Sequence, residues 1–139
     1  MTKLILEIED EYAFMAIGIV STSRSHRVCW MLNKSLRLEL KRDSDIEIFS
    51  KSKTSRHHAF YSFFDENLQI RYRLIENKKG VSLFLPEVKN ADFLVVIDLS
   101  DEVERNDVIE KLRATGTVLM AFEIDLELLR LKQNILLVA

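Results

Sequence analysis

The chain has 139 residues, of which 47% are hydrophobic and 30% charged, with a formal net charge of −2. This composition fits one ordered, compact domain over residues 1–139 and excludes a disordered chain. A single cysteine excludes an internal disulfide framework and a cysteine-rich zinc site, so we expect a reducing, cytoplasmic location. No apolar run approaches the roughly 18 residues of a membrane span. The N-terminus lacks a signal-peptide pattern, so we expect no membrane association.

Alternating or continuous apolar segments predict a series of β-strands. In chain order these segments are residues 3–9, 14–20, 38–40, 46–48, 59–64, 69–76, 81–85, 93–99, 118–124 and 135–138. A short helix is the alternative for 14–20. We expect 59–64 and 69–76 to form a hairpin, preceded by a charged turn at 41–45 and a mobile loop at 50–58.

Helical spacing of apolar residues predicts two main helices. The first covers residues 25–36, where Ser25 can cap the first turn. The second begins at the capping-box pair Asp101 and Glu104 and ends before the last glycine. A shorter helix is expected at 126–132.

The order of these elements predicts the fold class. A strand, a helix and a strand follow one another between residues 93 and 124, which favours a right-handed crossover with the two strands parallel. The predicted architecture is α+β, a single mixed β-sheet with two main helices packed on one face.

The only proline lies in a polar turn before the most apolar predicted strand. Here Leu85-Pro86-Glu87 is followed, after three residues, by Ala91-Asp92-Phe93. This spacing resembles the signature of the IPExxxVDY family of small, uncharacterised bacterial proteins, with conservative differences at Leu85, Ala91 and Phe93. The segments 14–19, 27–33 and 121–125 also look similar to that family. The family has no known activity, so the resemblance implies an identity without a function.

Glu87 and Asp92 are the polar candidates within this turn. Pro86 fixes the backbone and removes a donor, and short acidic side chains commonly bond backbone amides at turns, which predicts a structural role. The alternative is a small-molecule-binding or catalytic site formed by Glu87, Asp92 and nearby polar groups such as Asn33.

Exposed aromatic and basic residues predict a protein interface. The candidate interface residues are Trp30, on the outer side of the first helix, and Tyr61, Phe63, Arg71 and Arg73 in the hairpin. RNA binding is a third hypothesis, which requires Arg56, Arg71, Arg73 and Lys78 to share one basic face. The slightly acidic chain makes nucleic acid an unexpected partner.

No pattern in the sequence predicts a metal or cofactor site. His57 and His58 are adjacent and His26 is distant, so the histidines lack ligand spacing. Cys29 falls on the inner side of the first helix, where a core role is expected, and no phosphate-binding glycine motif is present.

The leading functional hypothesis is therefore a non-enzymatic interaction or regulatory domain, without a cofactor, that forms a homodimer or binds a protein partner. The distribution of charge is consistent with either form, since residues 21–60 are mainly basic and residues 87–127 mainly acidic.

Overall fold

A computed structural model describes residues 14–49, 55–98, 100 and 103–125. The strands are β1 (Phe14–Val20), β2 (Lys41–Arg42), β3 (Ile46–Phe49), β4 (Ser55–His58), β5 (Phe60–Asp65), β6 (Ile70–Glu76), β7 (Lys78–Lys79), β8 (Ser82–Leu83), β9 (Phe93–Asp98) and β10 (Met120–Glu123). The helices are α1 (Ser25–Leu36) and α2 (Arg105–Arg113). Neither helix is long and apolar enough to cross a membrane.

Six of the described strands form the main sheet, in the order β10-β1-β9-β6-β5-β2. Every neighbouring pair is antiparallel. β9 and β10 nevertheless run parallel to each other, as predicted for the strand–helix–strand unit, because β1 lies between them. The predicted α+β class with two main helices is confirmed. The sheet shows antiparallel pairing instead of a mixed pattern, because β1 lies between β9 and β10 and keeps these two strands from pairing with each other. The ribbons β3-β4 and β7-β8 are separate small sheets.

Both helices pack on one face of the main sheet, as predicted. Alternate residues of the central strands point to this face and are buried beneath the helices, because side chains alternate across a strand. The sheet contributes Met15, Ile17, Ile19, Phe93, Val95 and Ile97, and the helices contribute Val28, Cys29, Met31, Leu32, Val108 and Leu112.

The opposite face of the sheet is covered by the segment between β6 and β9. Phe84, Leu85, Val88 and Ala91 pack there against the other set of strand residues, which includes Phe14, Ala16, Leu94 and Val96. Gly18 of β1 also lies on this face, and a Cβ atom at Gly18 would be only 2.6 Å from the ring of Phe122. The position therefore requires glycine for close packing.

Both predicted helix starts differ from the structure. Ser25 is the first helical residue, and its hydroxyl lies 3.0 Å from the hydroxyl of Tyr61 instead of capping the turn. Arg24 occupies the N-cap position and makes no side-chain cap bond. Glu104 immediately precedes α2 and likewise makes no capping bond. Its predicted partner Asp101 lies outside the described residues.

Several predicted strand and loop boundaries also change. The hairpin of 59–64 and 69–76 is confirmed as β5 and β6. The central strand predicted at 93–99 is confirmed as β9 over its described residues, Phe93–Asp98. Residues 38–40 are not a strand, whereas Lys41–Arg42 within the predicted turn pairs with β5. Ser55–His58, within the predicted loop, pairs with β3 because Ile46 and Ile48 bring that ribbon onto the core. Segments 3–9, 126–132 and 135–138 lie outside the described residues.

Candidate functional site

The segment that carries the family-like signature is organised by Asn77. This side chain is fully buried. Its Nδ2 donates hydrogen bonds to the carbonyl oxygens of Val88, at 2.9 Å, and Ala91, at 2.8 Å. Its Oδ1 accepts from the amide of Leu85 at 2.8 Å. One amide therefore satisfies three buried backbone groups and fixes the turn between β8 and β9.

The signature residues have mainly structural positions. Leu85, Ala91 and Phe93 are buried in the two cores, while Pro86 and Glu87 are exposed. Asp92 accepts a hydrogen bond from the backbone amide of Ser21 at 2.9 Å. Asp92 thus bonds a backbone amide, but the amide follows β1 and does not belong to the turn itself. The structural role of Asp92 stays a prediction.

Asn33 and Asp92, two of the polar groups of the small-molecule hypothesis, bond separate parts of the backbone. Both amide atoms of Asn33 bond the backbone of Leu40, at 3.1 and 2.8 Å, and so tie α1 to the segment that follows it. Asp92 Oδ1 lies 3.8 Å from Lys78 Nζ. Two cavities lie elsewhere, a groove beside Trp30 and a smaller crevice between Leu36, Tyr72 and α2. Neither is lined by Glu87, Asp92 or Asn33.

The hairpin members of the predicted interface lie in different environments. Tyr61 is 5% exposed and belongs to the helix-side core. Phe63 stacks on Tyr72, with 6.0 Å between ring centroids. Arg71 is half-buried, and its guanidinium lies 5.0 Å from the ring centroid of Phe64. The four predicted hairpin residues therefore do not form one exposed surface.

Arg73 is 1% exposed and forms an ion pair with Asp98, with 3.1 Å between Nη1 and Oδ1. Burial lowers the pKa of Arg73, and the neighbouring carboxylate of Asp98 opposes that shift. Because Arg73 is buried, the four cations of the RNA hypothesis do not share a continuous face. Arg56 does approach the β7-β8 ribbon, since its Nη1 would be 3.8 Å from a Cβ atom at Gly80.

Trp30 is 60% exposed and stands in the middle of a basic surface on α1. We call this surface the α1 face. It comprises the exposed residues His26, Arg27, Trp30, Lys34 and Arg37. At 3.6 residues per turn the four helical positions among them fall within about 100° of the helix circumference. Arg37 is the C-cap residue that follows α1, with a left-handed backbone conformation. The helix contains no acidic residue, so nothing on α1 itself neutralises this face.

The cations of the α1 face have no carboxylate partner in the described part of the chain. The ion pairs found there involve Arg42, His57, Arg73, Lys78, Arg105 and Lys111. Lys34 Nζ instead lies 5.2 Å from the ring centroid of Trp30, a cation–π contact. Arg27 lies in the first turn, where the helix dipole disfavours a positive charge by about 0.3–1 kcal/mol. This arrangement costs stability locally, as is common at functional surfaces.

A groove of about 450 Å³ opens beside Trp30. One wall is formed by Trp30, Met31, Lys34 and Ser35 of α1, and the other by residues 115–117 between α2 and β10. Ser35 Oγ donates to the Lys111 carbonyl at 3.3 Å, and the Thr117 hydroxyl donates to Met31 Sδ. Since the hydroxyls already bond within the protein, the groove presents mainly apolar surface.

Nucleophilic and metal chemistry receive no support from the described residues. Cys29 is buried, its Sγ donates to the Leu40 carbonyl at 3.6 Å, and burial raises the pKa of its thiol. Across residues 14–49, 55–98, 100 and 103–125, no group of three or more His, Cys, Asp or Glu side chains is placed to hold a metal ion.

The sequence reasoning missed two buried polar residues, Asn77 and His58. His58 Nδ1 lies 2.7 Å from the Glu76 carbonyl and Nε2 lies 2.8 Å from Ser82 Oγ. Ile46 and Ile48 mark the inward side of β3, and His58 is the cross-strand partner of Ile46. Pairing of these two segments could have indicated the inward position of His58. Asn77 gives no sequence signal, because its partners are backbone groups of a distant turn.

Comparison of the chain with protein-family models and with curated proteins gives no match.

Proposed function

We propose that the protein is a non-enzymatic interaction domain that binds a protein partner through the α1 face. The observation that carries this proposal is Trp30, which is 60% exposed among cations that form no ion pair with any described residue. Tryptophan and arginine are the residues most enriched at binding hot spots, and an exposed indole gains most from burial against a partner. The groove beside Trp30 supplies the concave apolar surface that such contacts use.

A homodimer is the second candidate, favoured by the position of Trp30 next to the groove. In a two-fold dimer, each Trp30 could enter the groove of the other copy, since a two-fold interface brings the same patch together from both chains. The charge of the α1 face opposes this arrangement, because Arg27, Lys34 and Arg37 would meet the same cations across the axis. Like charges at an interface cost several kcal/mol. A different protein therefore fits the α1 face better than a second copy does.

We also propose that the chain belongs to the IPExxxVDY family. The buried positions of Leu85, Ala91 and Phe93 support a structural meaning for that signature, since a conservative apolar exchange at each of them preserves the packing. On this account the signature identifies a fold and carries no activity, and the function lies on the opposite side of the sheet.

The proposal is tested by affinity capture from a lysate of cells that produce the protein. Three proteins are compared as bait: the parent, Trp30→Ala, and Val81→Ala as the matched control, because Val81 is exposed and remote from α1 in sequence. We expect a partner retained by the parent and by Val81→Ala but lost with Trp30→Ala, since removing a central tryptophan costs about 2 kcal/mol or more, about 30-fold in affinity. Equal retention by all three baits would contradict the proposal.

Self-association is tested separately by sedimentation at low and high salt. A dimer formed through two α1 faces would be strengthened by salt, because screening weakens the repulsion between the cations. A dimer that is lost with Trp30→Ala and strengthened by salt would place the homodimer first.

A further inference from the structure

We infer that the partner segment covering the α1 face is acidic and helical and inserts an apolar side chain into the groove beside Trp30. This inference rests on the proposed function and identifies the chemistry of the partner. Three features of the face carry it: the unbalanced charge, the spacing of the cations, and the apolar walls of the groove.

The charge of the face favours an anionic partner. Within the described residues, Arg27, Lys34 and Arg37 have no ion pair, and α1 has no acidic residue. The N-terminal end of the helix adds a positive potential near Arg27. A carboxylate brought by a partner would offset the repulsion among these cations, whereas a neutral segment would desolvate them without compensation.

The spacing of the cations matches an acidic helix. Arg27 and Lys34 are seven residues apart, which at 1.5 Å per residue is about 10 Å along α1, with Trp30 between them. Arg27 precedes Trp30 by three residues and Lys34 follows it by four. An antiparallel partner helix with an apolar residue at position i and carboxylates at i−4 and i+3 has the same spacing. Such a helix, lying along α1, can place both carboxylates at the cations and the apolar residue at Trp30.

The groove distinguishes a protein segment from other anionic partners. The hydroxyls of Ser35 and Thr117 are bonded within the protein, so the groove offers few groups to the edge of a nucleobase. A base stacked on Trp30 would leave its polar edge against apolar walls. The concave shape also fits a protruding side chain better than the flat surface of an anionic membrane.

The test uses defined probes and fluorescence anisotropy at about 0.05 M salt, where charge contacts are only weakly screened. The principal probe is a labelled, alanine-based helical peptide of about five turns, with leucine as the apolar residue and glutamates around it. Matched peptides carry lysine for glutamate or alanine for leucine. A polyuridine oligonucleotide and vesicles of phosphatidylcholine with phosphatidylserine represent the other anionic partners. We expect the acidic leucine peptide to bind best.

The variants separate charge from apolar contact. Trp30→Ala and the double variant Arg27→Glu, Lys34→Glu should each weaken binding of the acidic peptide about tenfold or more. Trp30→Phe should restore most of the loss, and Val81→Ala should bind as the parent does. All variants are first compared by circular dichroism and urea unfolding, so that a folding defect is distinguished from a binding defect.

Three results would overturn the inference. These are equal binding of the glutamate and lysine peptides, no binding of the acidic leucine peptide, and stronger Trp30-dependent binding of the oligonucleotide or the vesicles. If a lysate partner is lost with Trp30→Ala while the charge-reversed variant still retains it, the acidic partner is wrong and the proposed function stands. If Trp30→Ala changes neither the lysate capture nor the probe binding, both are wrong.

Discussion

Replacement of the buried Asn77 by alanine should destabilise the protein strongly. The substitution leaves the carbonyls of Val88 and Ala91 and the amide of Leu85 without their side-chain partner. An unsatisfied buried polar group costs about 1–3 kcal/mol. Because local rearrangement and water recover part of that loss, we expect about 3–5 kcal/mol in total, a large fraction of the roughly 5–15 kcal/mol that stabilises a domain of this kind.

Urea unfolding followed by far-ultraviolet circular dichroism measures this loss. Asn90→Ala is the matched control, because Asn90 is exposed in the same turn, and it should change the unfolding free energy by less than about 0.5 kcal/mol. Asn77→Asp adds a second test. A carboxylate facing two carbonyls should have a raised folded-state pKa, so that variant should regain stability as the pH falls through this value. A loss below about 1 kcal/mol for Asn77→Ala would refute the assignment of Asn77 as the organiser of the turn.

The remaining predictions concern packing, burial and charge. Gly18→Ala should lower the unfolding free energy by about 1–3 kcal/mol, because the new methyl group meets an aromatic ring; unchanged urea stability would contradict the close approach. Asp98→Ala should cost about 3–5 kcal/mol, because it removes the carboxylate that pairs with the buried Arg73. Asp107→Ala removes an exposed pair and should cost less than about 1 kcal/mol; similar losses for the two variants would disprove the distinction. Cys29 should resist alkylation at pH 8 in the folded state and react once the protein is unfolded, because burial raises the pKa of its thiol. The stability that the neutral Cys29 thiol contributes should be lost as the pH rises through the pKa of the folded state.

The sequence predicted the elements whose apolar pattern is strong. The segments that form β1 and β9 are apolar at successive positions because both faces of the sheet are covered. The apolar residues of α1 have helical spacing because only one side of that helix is buried. The pattern failed where pairing between distant segments decides the structure. Ser55–His58 reads as a polar loop, yet it forms β4 against β3.

Part of the candidate surface was predictable and part was not. The outward position of Trp30 follows from its place opposite Val28 and Leu32, and the structure confirms it. The positions of Tyr61 and Arg73 do not follow from alternation alone, because alternation separates two faces without showing how each is covered. The segment between β6 and β9 covers the face of Arg73. The groove depends on residues 115–117, which only the fold brings to α1.

Site-specific photo-crosslinking in cells that produce the protein shows directly whether a partner binds at the α1 face. A photoreactive phenylalanine derivative is placed at position 30 or, as the control, at the exposed position 81, and adducts are identified by mass spectrometry. We expect an adduct with another protein from position 30 and not from position 81, attached to an acidic segment of that partner. No adduct from position 30, or the same adduct from both positions, would contradict the claim that the α1 face is the binding surface.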